Sequence, residues 1–260
     1  VEEIFPILMT GGKLVLLPGA SSDIDLIVET INKEQVDIVS ATPLIVGELN
    51  SRAGEVAGLG VIISGGDELK SNHIDAFIGE KKVYNTYGPS ESTVCITLGE
   101  INDQVSPSNI GTPLPNRKVY ILDENQQLLP IGIPGELCVS GAGLAMGYLN
   151  NEALTREKFI ANPYADGETM YRTGDLCRWL SDGSIEFLGR IDEQFKVRGY
   201  RIEPQEIESV LKSVAGVDDT IVMARAGGGS KELLAVYTGS LEDTDVVRSI
   251  LQDRLPHYME

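Results

Sequence analysis

Four short segments combine rigid backbone with polar side chains in a way that packing alone does not require. The first is Asn85-Thr86-Tyr87-Gly88-Pro89-Ser90-Glu91-Ser92-Thr93. Gly and Pro fix its backbone, Tyr87 offers a stacking face, and Glu91 is a carboxylate suited to a hard cation such as Mg²⁺. The second, Tyr171-Arg172-Thr173-Gly174-Asp175-Leu176, sets an Asp behind a Gly turn, where one carboxylate can accept from a pair of ribose hydroxyls. The third, Gly189 to Glu203, packs four cations and two glycines into fifteen residues. In an acidic chain such a cluster is where an anionic ligand would be held. The fourth, Gly135 to Gly141, reads as architecture, a strand between glycine bends. Taken singly, the first is equally well explained by a solvated loop, and the second by an ordinary β-turn.

Other chemistries are excluded more firmly. Cys95, Cys138 and Cys177 are odd in number, far apart and without a CxxC pair, so neither a disulfide framework nor a zinc site is expected. Three reduced, packed thiols suit a cytoplasmic protein. His73 and His257 are the only histidines, too few and too distant for a His-based triad or metal cluster. The run from Gly141 to Gly147 looks like a dinucleotide fingerprint but has one residue too many before its third glycine and lacks a βαβ context. Gly11-Gly12-Lys13 lacks the Ser or Thr and the upstream Gly of a phosphate-binding Walker loop. The formal net charge is −18, from 39 acidic and 21 basic residues, which argues against nucleic-acid binding but leaves a local anion site open. No apolar run approaches a membrane span, and the start has neither a basic n-region nor a Met. The expectation is a soluble piece of a longer chain.

The elements that must position these segments fall into three regimes. At 260 residues with 42% hydrophobic content the chain can bury a sizeable core. Residues 1–104 alternate strand and helix, the rhythm of a mostly parallel sheet with helical crossovers. A helix is predicted from Ser22, with Ile24, Ile27, Val28 and Ile31 at helical spacing. Others are predicted from Pro43 and from Ser71, the latter carrying Ile74, Phe77 and Ile78. Strands are expected at Val36–Ala41, Val61–Ile63 and from Val83 into Tyr87. Over 105–191 the helical period nearly disappears, and Asp182-Gly183 marks a hairpin, so this stretch reads as an antiparallel, barrel-like β unit. From Asp192 to Glu260 a small α+β domain is expected. It has a helix from Pro204, a hairpin across Gly227-Gly228-Gly229 and a last helix carrying Val246, Val247, Ile250 and Leu251.

In order, YGPSEST, GELCVSGAGLAMGYL, YRTGDL, GRIDEQFKVRGYRIEPQEIE and LPHYM resemble the adenylation domains of nonribosomal peptide synthetases, members of the adenylate-forming superfamily. The resemblance covers essentially the whole chain. It implies that an amino acid and ATP give aminoacyl-AMP and pyrophosphate, with Mg²⁺, after which the aminoacyl group passes to the phosphopantetheine thiol of a carrier protein. By the same resemblance Tyr87 stacks on adenine and Asn85 hydrogen-bonds its amino edge. Ser90 contacts the α-phosphate, Glu91 the metal, and Asp175 the ribose hydroxyls. Phe187 and Arg190 flank the nucleotide. Asp192 is the hinge of the small domain, and Lys196 and Gly199 face the site in the thioester-forming state. Glu91, Arg190 and Lys196 are the expected catalytic residues. The family's phosphate loop and its late catalytic Lys have no counterpart in this sequence, so the isolated chain is expected to be an incomplete domain that forms no adenylate.

The resemblance also implies a substrate pocket at Glu2, Ser40, Ile63, Gly65, Thr86, Val94 and Cys95. The set is small or apolar with one carboxylate, whose complement would be a distal ammonium. That predicts a basic amino acid, lysine first and ornithine second. Expected partners are the amino acid, a peptidyl carrier domain and a condensation domain of the same synthetase, with no nucleic acid and no membrane. Two alternatives stay open: another adenylate-forming ligase, acting on acyl or aryl acids or on D-alanine, and a nucleotide-binding module without turnover.

Overall fold

The computed structural model describes residues 3–17, 23–192, 194–197, 199–227, 230–241 and 244–259. The chain divides into two compact units, Val1–Ile191 and Asp192–Glu260.

In the first unit β1 (Ile38–Ala41), β2 (Val61–Ser64) and β3 (Lys82–Tyr87) pair in parallel. The helices before and between them are α1 (Phe5–Met9), α2 (Ile24–Glu34) and α3 (Pro43–Ser51). Val28 and Ile31 of α2 and Val46 and Leu49 of α3 bury one face each in a common core with Ile62 and Val83. Each such side chain contributes roughly 1.5–3 kcal/mol on leaving water. The cap of α2 is Asp23, whose carboxylate accepts from the N–H groups of Asp25 and Leu26 at 3.1 and 3.2 Å. Ser22, the predicted start, lies outside the described residues. Pro43 opens α3 as its spacing predicts.

The helix predicted from Ser71 does not form. A single 3₁₀ turn, Ser71–His73, is followed by turns closed by short-range bonds such as Phe77 N–H to Ile74 O at 2.9 Å. Ile74 and Phe77 are fully buried nonetheless. Burial of the apolar spacing is therefore met without a continuous i→i−4 ladder, which a segment this short cannot sustain on its own.

The antiparallel unit is present, built from β4 (Thr97–Ile101), β5 (Asn109–Pro113), β6 (Arg117–Leu122), β7 (Gly135–Gly141), β8 (Phe159–Ala161), β9 (Thr169–Trp179) and β10 (Ile185–Arg190). It is continuous with the parallel strands. The path runs β1-β2-β3-β4-β5-β10-β9-β7-β6, with β8 added on β9, and among the described residues it stays open at β1 and β6. The Asp182-Gly183 hairpin joins β9 to β10, with Gly183 at φ 85°. One short helix, α4 (Glu152–Lys158), falls where none was expected. Its signals were end signals: Asn151 caps the N–H of Leu154, and Arg156 and Lys158 occupy its last turn.

Tyr171 to Leu176 is not a β-turn. It lies inside β9, which bulges there: Glu136 of β7 faces Leu176 while Cys138 faces Arg172, and Gly174 takes φ 72°.

The second unit contains β11 (Phe195–Val197), β12 (Tyr200–Ile202), α5 (Pro204–Lys212), β13 (Val217–Gly227), β14 (Ser230–Gly239) and α6 (Thr244–Arg254). β13 and β14 form the predicted hairpin; its Gly228 and Gly229 lie outside the described residues. Ile202, Ile207, Leu211, Val222, Val247 and Met259 make this unit's own core.

Candidate functional site

β3 carries the first segment to the carboxyl end of the parallel strands, the edge where open α/β sheets place ligands. Strand alternation turns Asn85 and Tyr87 to one face and Thr86 to the other. Asn85 is buried, and its Nδ2 donates to the carbonyls of Pro107 and Asn109 at 2.9 and 3.0 Å. Both amide protons are thereby used, which leaves Oδ1 as an acceptor, the polarity an exocyclic amino group needs.

Tyr87, Asp175, Arg190 and Phe187 come together from three strands. The Tyr87 hydroxyl donates to Asp175 Oδ2. Arg190 Nη1 donates to Asp175 Oδ1 at 2.7 Å, and the two residues are cross-strand partners on β10 and β9. The Phe187 and Tyr87 ring centroids lie 6.3 Å apart. Burial, and then the negative charge of Asp175, push the Tyr87 phenol well above its ordinary range, so it remains a donor.

The bulge that presents Asp175 is held from below. Arg172 Nε and Nη2 both donate to Glu136 Oε2, at 3.0 and 2.7 Å, while Gly174 N–H donates to Glu136 Oε1 at 3.1 Å. Thr173 Oγ1 donates to Leu137 O at 2.6 Å and accepts from Asp175 N–H at 3.0 Å. The hydrogen bond with Glu136 is the leading cause of the upward shift of the Arg172 guanidinium.

Glu91 sits in a 3₁₀ turn, Ser90–Ser92, with Ser90 exposed and Glu91 buried. Tyr148 Oη donates to Glu91 Oε1 at 2.6 Å. The Tyr148 hydroxyl also lies 3.4 Å from that of Tyr171 on β9. Among the described residues no group of three or more His, Cys, Asp or Glu could hold a metal. One buried carboxylate suits Mg²⁺ all the same, because that ion keeps its waters and takes one or two carboxylates beside substrate phosphates.

Ser40 and Ile63 are paired across β1 and β2 on the face opposite Asn85 and Tyr87. Thr86 Oγ1 donates to Ser64 O at 3.1 Å, and a Cβ on Gly65 would stand 2.2 Å from that hydroxyl, so only glycine admits Thr86 there. Val94 and Cys95 run against Gly88, where a Cβ would meet Val94 O at 1.9 Å. Glu2 lies outside the described residues. In the second unit Lys196 pairs with Arg201 across β11 and β12, Gly199 turns at φ 82°, and Asp192 Oδ1 accepts from Gln194 N–H at 3.2 Å.

Tyr148, Glu136, Arg172 and Thr173 carry site geometry that their sequence positions did not reveal. Tyr148 is 57 residues from Glu91 and Arg172 is 36 from Glu136, so no local periodicity pairs them.

Residues 1–149 match the family described as AMP-binding enzyme, more than half of the chain, and the chain belongs to that family. It is 43% identical over 266 residues to bacitracin synthase 2 of Bacillus licheniformis, covering 99% of this chain and 10% of that protein. Among solved structures, holo-PA1221, an NRPS protein containing adenylation and PCP domains, superposes with a TM-score of 0.86 at 29% identity, over 96% of this chain and 44% of that one. NpsA-ThdA, an artificially fused adenylation-PCP di-domain NRPS from Klebsiella oxytoca, superposes with a TM-score of 0.83 at 25% identity, over 97% and 49%. The chain thus spans about half the length of these solved chains and a tenth of the synthase.

Proposed function

We propose that this chain contributes the nucleotide site of an adenylate-forming ligase that activates an amino acid for nonribosomal peptide synthesis. The observation that carries the reading is the gathering of Asn85, Tyr87, Asp175 and Arg190 around the carboxyl end of β3. Each group has the polarity its role requires. Asn85 Oδ1 accepts from the adenine amino group, and the Tyr87 ring gives adenine a face. Asp175, oriented by Tyr87 and Arg190, is a carboxylate, an acceptor-only group suited to a pair of ribose hydroxyls. Ser90 donates to the α-phosphate.

A carboxylate oxygen of the amino acid forms a bond to the α-phosphorus, and the bond to pyrophosphate breaks. Negative charge accumulates on the phosphoryl oxygens and the leaving group, so fixed cations and donors aimed there lower the barrier. Arg190, already oriented by Asp175, is one such cation. Mg²⁺ at Glu91 would supply further neutralisation of that charge. In the second step the phosphopantetheine sulfur forms a bond to the aminoacyl carbonyl carbon and AMP leaves; Lys196, Gly199 and the hinge residue Asp192 are assigned to this step. Support for a carrier partner comes from relatives that are synthetases and from solved neighbours that contain PCP domains. A condensation domain of the same synthetase and a cytoplasmic setting belong to the same reading. Among the described residues no helix is long and apolar enough to cross a membrane.

The pocket is read as Ser40, Ile63, Gly65, Thr86, Val94 and Cys95 with Glu2, and its substrate as lysine before ornithine. Pyrophosphate exchange by the intact synthetase module across amino acids tests this, and preference for a neutral amino acid refutes it. For the nucleotide site, Tyr87→Ala and Asp175→Ala in the intact module should each weaken ATP binding about tenfold or more, a loss of about 1.4 kcal/mol. Unchanged affinity in both variants overturns the reading.

A further inference from the structure

We infer that Tyr148 is a positioning residue for the metal–nucleotide complex: its hydroxyl fixes the Glu91 carboxylate in the orientation from which that carboxylate takes Mg²⁺. The inference rests on the reading of Glu91 as the metal's protein ligand. Its ground is the way two distant segments are stitched together around this one side chain. Tyr148 Oη donates to Glu91 Oε1 at 2.6 Å, Ala145 N–H donates to the Glu91 carbonyl at 2.8 Å, and Thr93 Oγ1 donates to Gly143 O at 2.7 Å. The turn bearing Glu91 and the loop bearing Tyr148 are therefore fixed on either side of the carboxylate.

Tyr148 is itself immobilised. Its N–H donates to Thr155 Oγ1 at 2.9 Å, and its ring packs edge-on against Phe159 with centroids 5.6 Å apart. Phe159 in turn lies 4.9 Å from the Tyr171 ring. Gly147 takes φ 141°, and a Cβ there would stand 2.4 Å from Thr155 Cγ2, so the approach to Tyr148 admits only glycine. Such an arrangement is more than space-filling requires: ring packing would hold a Phe equally well, whereas the hydroxyl is aimed at a buried carboxylate. A hydrogen bond to an ionised acceptor is among the stronger ones. It also fixes the Glu rotamer before metal arrives, so binding does not have to order it. Partners that orient a metal ligand typically contribute 10–100-fold to metal affinity.

The test uses the intact synthetase module and reads equilibrium ATP binding by calorimetry across a Mg²⁺ series and in EDTA. Tyr148→Phe should leave ATP affinity in EDTA within twofold of wild type. The Mg²⁺ concentration giving half of the metal-dependent tightening should rise about tenfold. Glu91→Gln should abolish the metal dependence, and if it does not, the metal reading of Glu91 fails. Should Glu91→Gln abolish it while Tyr148→Phe leaves the midpoint unmoved, the positioning inference alone is overturned. Equal loss in EDTA and in Mg²⁺ for Tyr148→Phe also overturns it, since that marks a general structural role. If Tyr148→Phe does not fold, Glu91→Asp withdraws the carboxylate from the phenol while keeping its charge, and the same rise is expected; an unmoved midpoint overturns the inference.

Discussion

A single carboxylate, Asp175, gathers the site at the residue scale. It is buried and takes hydrogen bonds from a phenol and a guanidinium, and losing either donor leaves charge less well satisfied in a place water barely reaches. Tyr87→Phe keeps the ring and removes one donor. Denaturant unfolding should show a loss of about 1–3 kcal/mol, and an unmoved midpoint would mean the bond does not form in solution. The thiols make a second prediction. Burial first, and Glu136 second, push the Cys138 thiol up to about 12 from 9.0. A folded value raised above the unfolded one stabilises fully below the unfolded value, and that contribution is lost as pH rises through about 9 towards 12. Stability should therefore decline above about pH 9, and Cys138→Ala should flatten part of the decline. Asn85, Tyr87, Glu91, Asp175 and Arg190 were legible in the sequence because each sits in a short motif where Gly or Pro fixes the backbone beside it. Tyr148 and Glu136 were not, because what gives them meaning is a partner reached through the folded sheet.

At the element scale the clearest misreading is Tyr171 to Leu176. A glycine with positive φ serves a turn and a bulge alike, and only cross-strand register decides between them. Register here comes from β10 across the hairpin and from β7, some 36 residues earlier in the chain. The strands were legible because their apolar runs are short and bounded by Gly and Pro, whereas the segment after Ser71 has helical spacing without a continuous i→i−4 ladder. The bulge depends on Glu136, which satisfies Arg172 and Gly174 together. Glu136→Ala should cost about 1–3 kcal/mol in chemical unfolding and weaken ATP binding through Asp175, although Glu136 is assigned no ligand contact. Gly88→Ala should be at least as harmful, because its Cβ would stand 1.9 Å from Val94 O. Overpacking of this kind costs about 1–3 kcal/mol and would displace the Val94–Cys95 backbone, which alkylation of Cys95 can report.

At the scale of the whole molecule each unit carries a core of its own, Ile62 and Val83 with the helices in one and Ile202 and Leu211 with β13 in the other. Calorimetry should resolve two unfolding transitions, and substitution of Leu211 by Ala should lower only one of them. One cooperative transition shifted as a whole would contradict this. The boundary after Ile191 was legible as a change of rhythm. The continuity of the first unit was not, because hydrogen bonding of β4 and β5 across the change near residue 105 leaves no mark in composition.

One strand, β3, faces two ways, with Asn85 and Tyr87 towards one side and Thr86, beside Ile63 and Ser40, towards the other. Under the proposed assignment the energy currency and the cargo are read by alternate letters of the same line. Evolution, or an engineer, can then rewrite which acid is chosen without touching the grip on adenine, and such a scaffold can diversify its menu while its chemistry stands still.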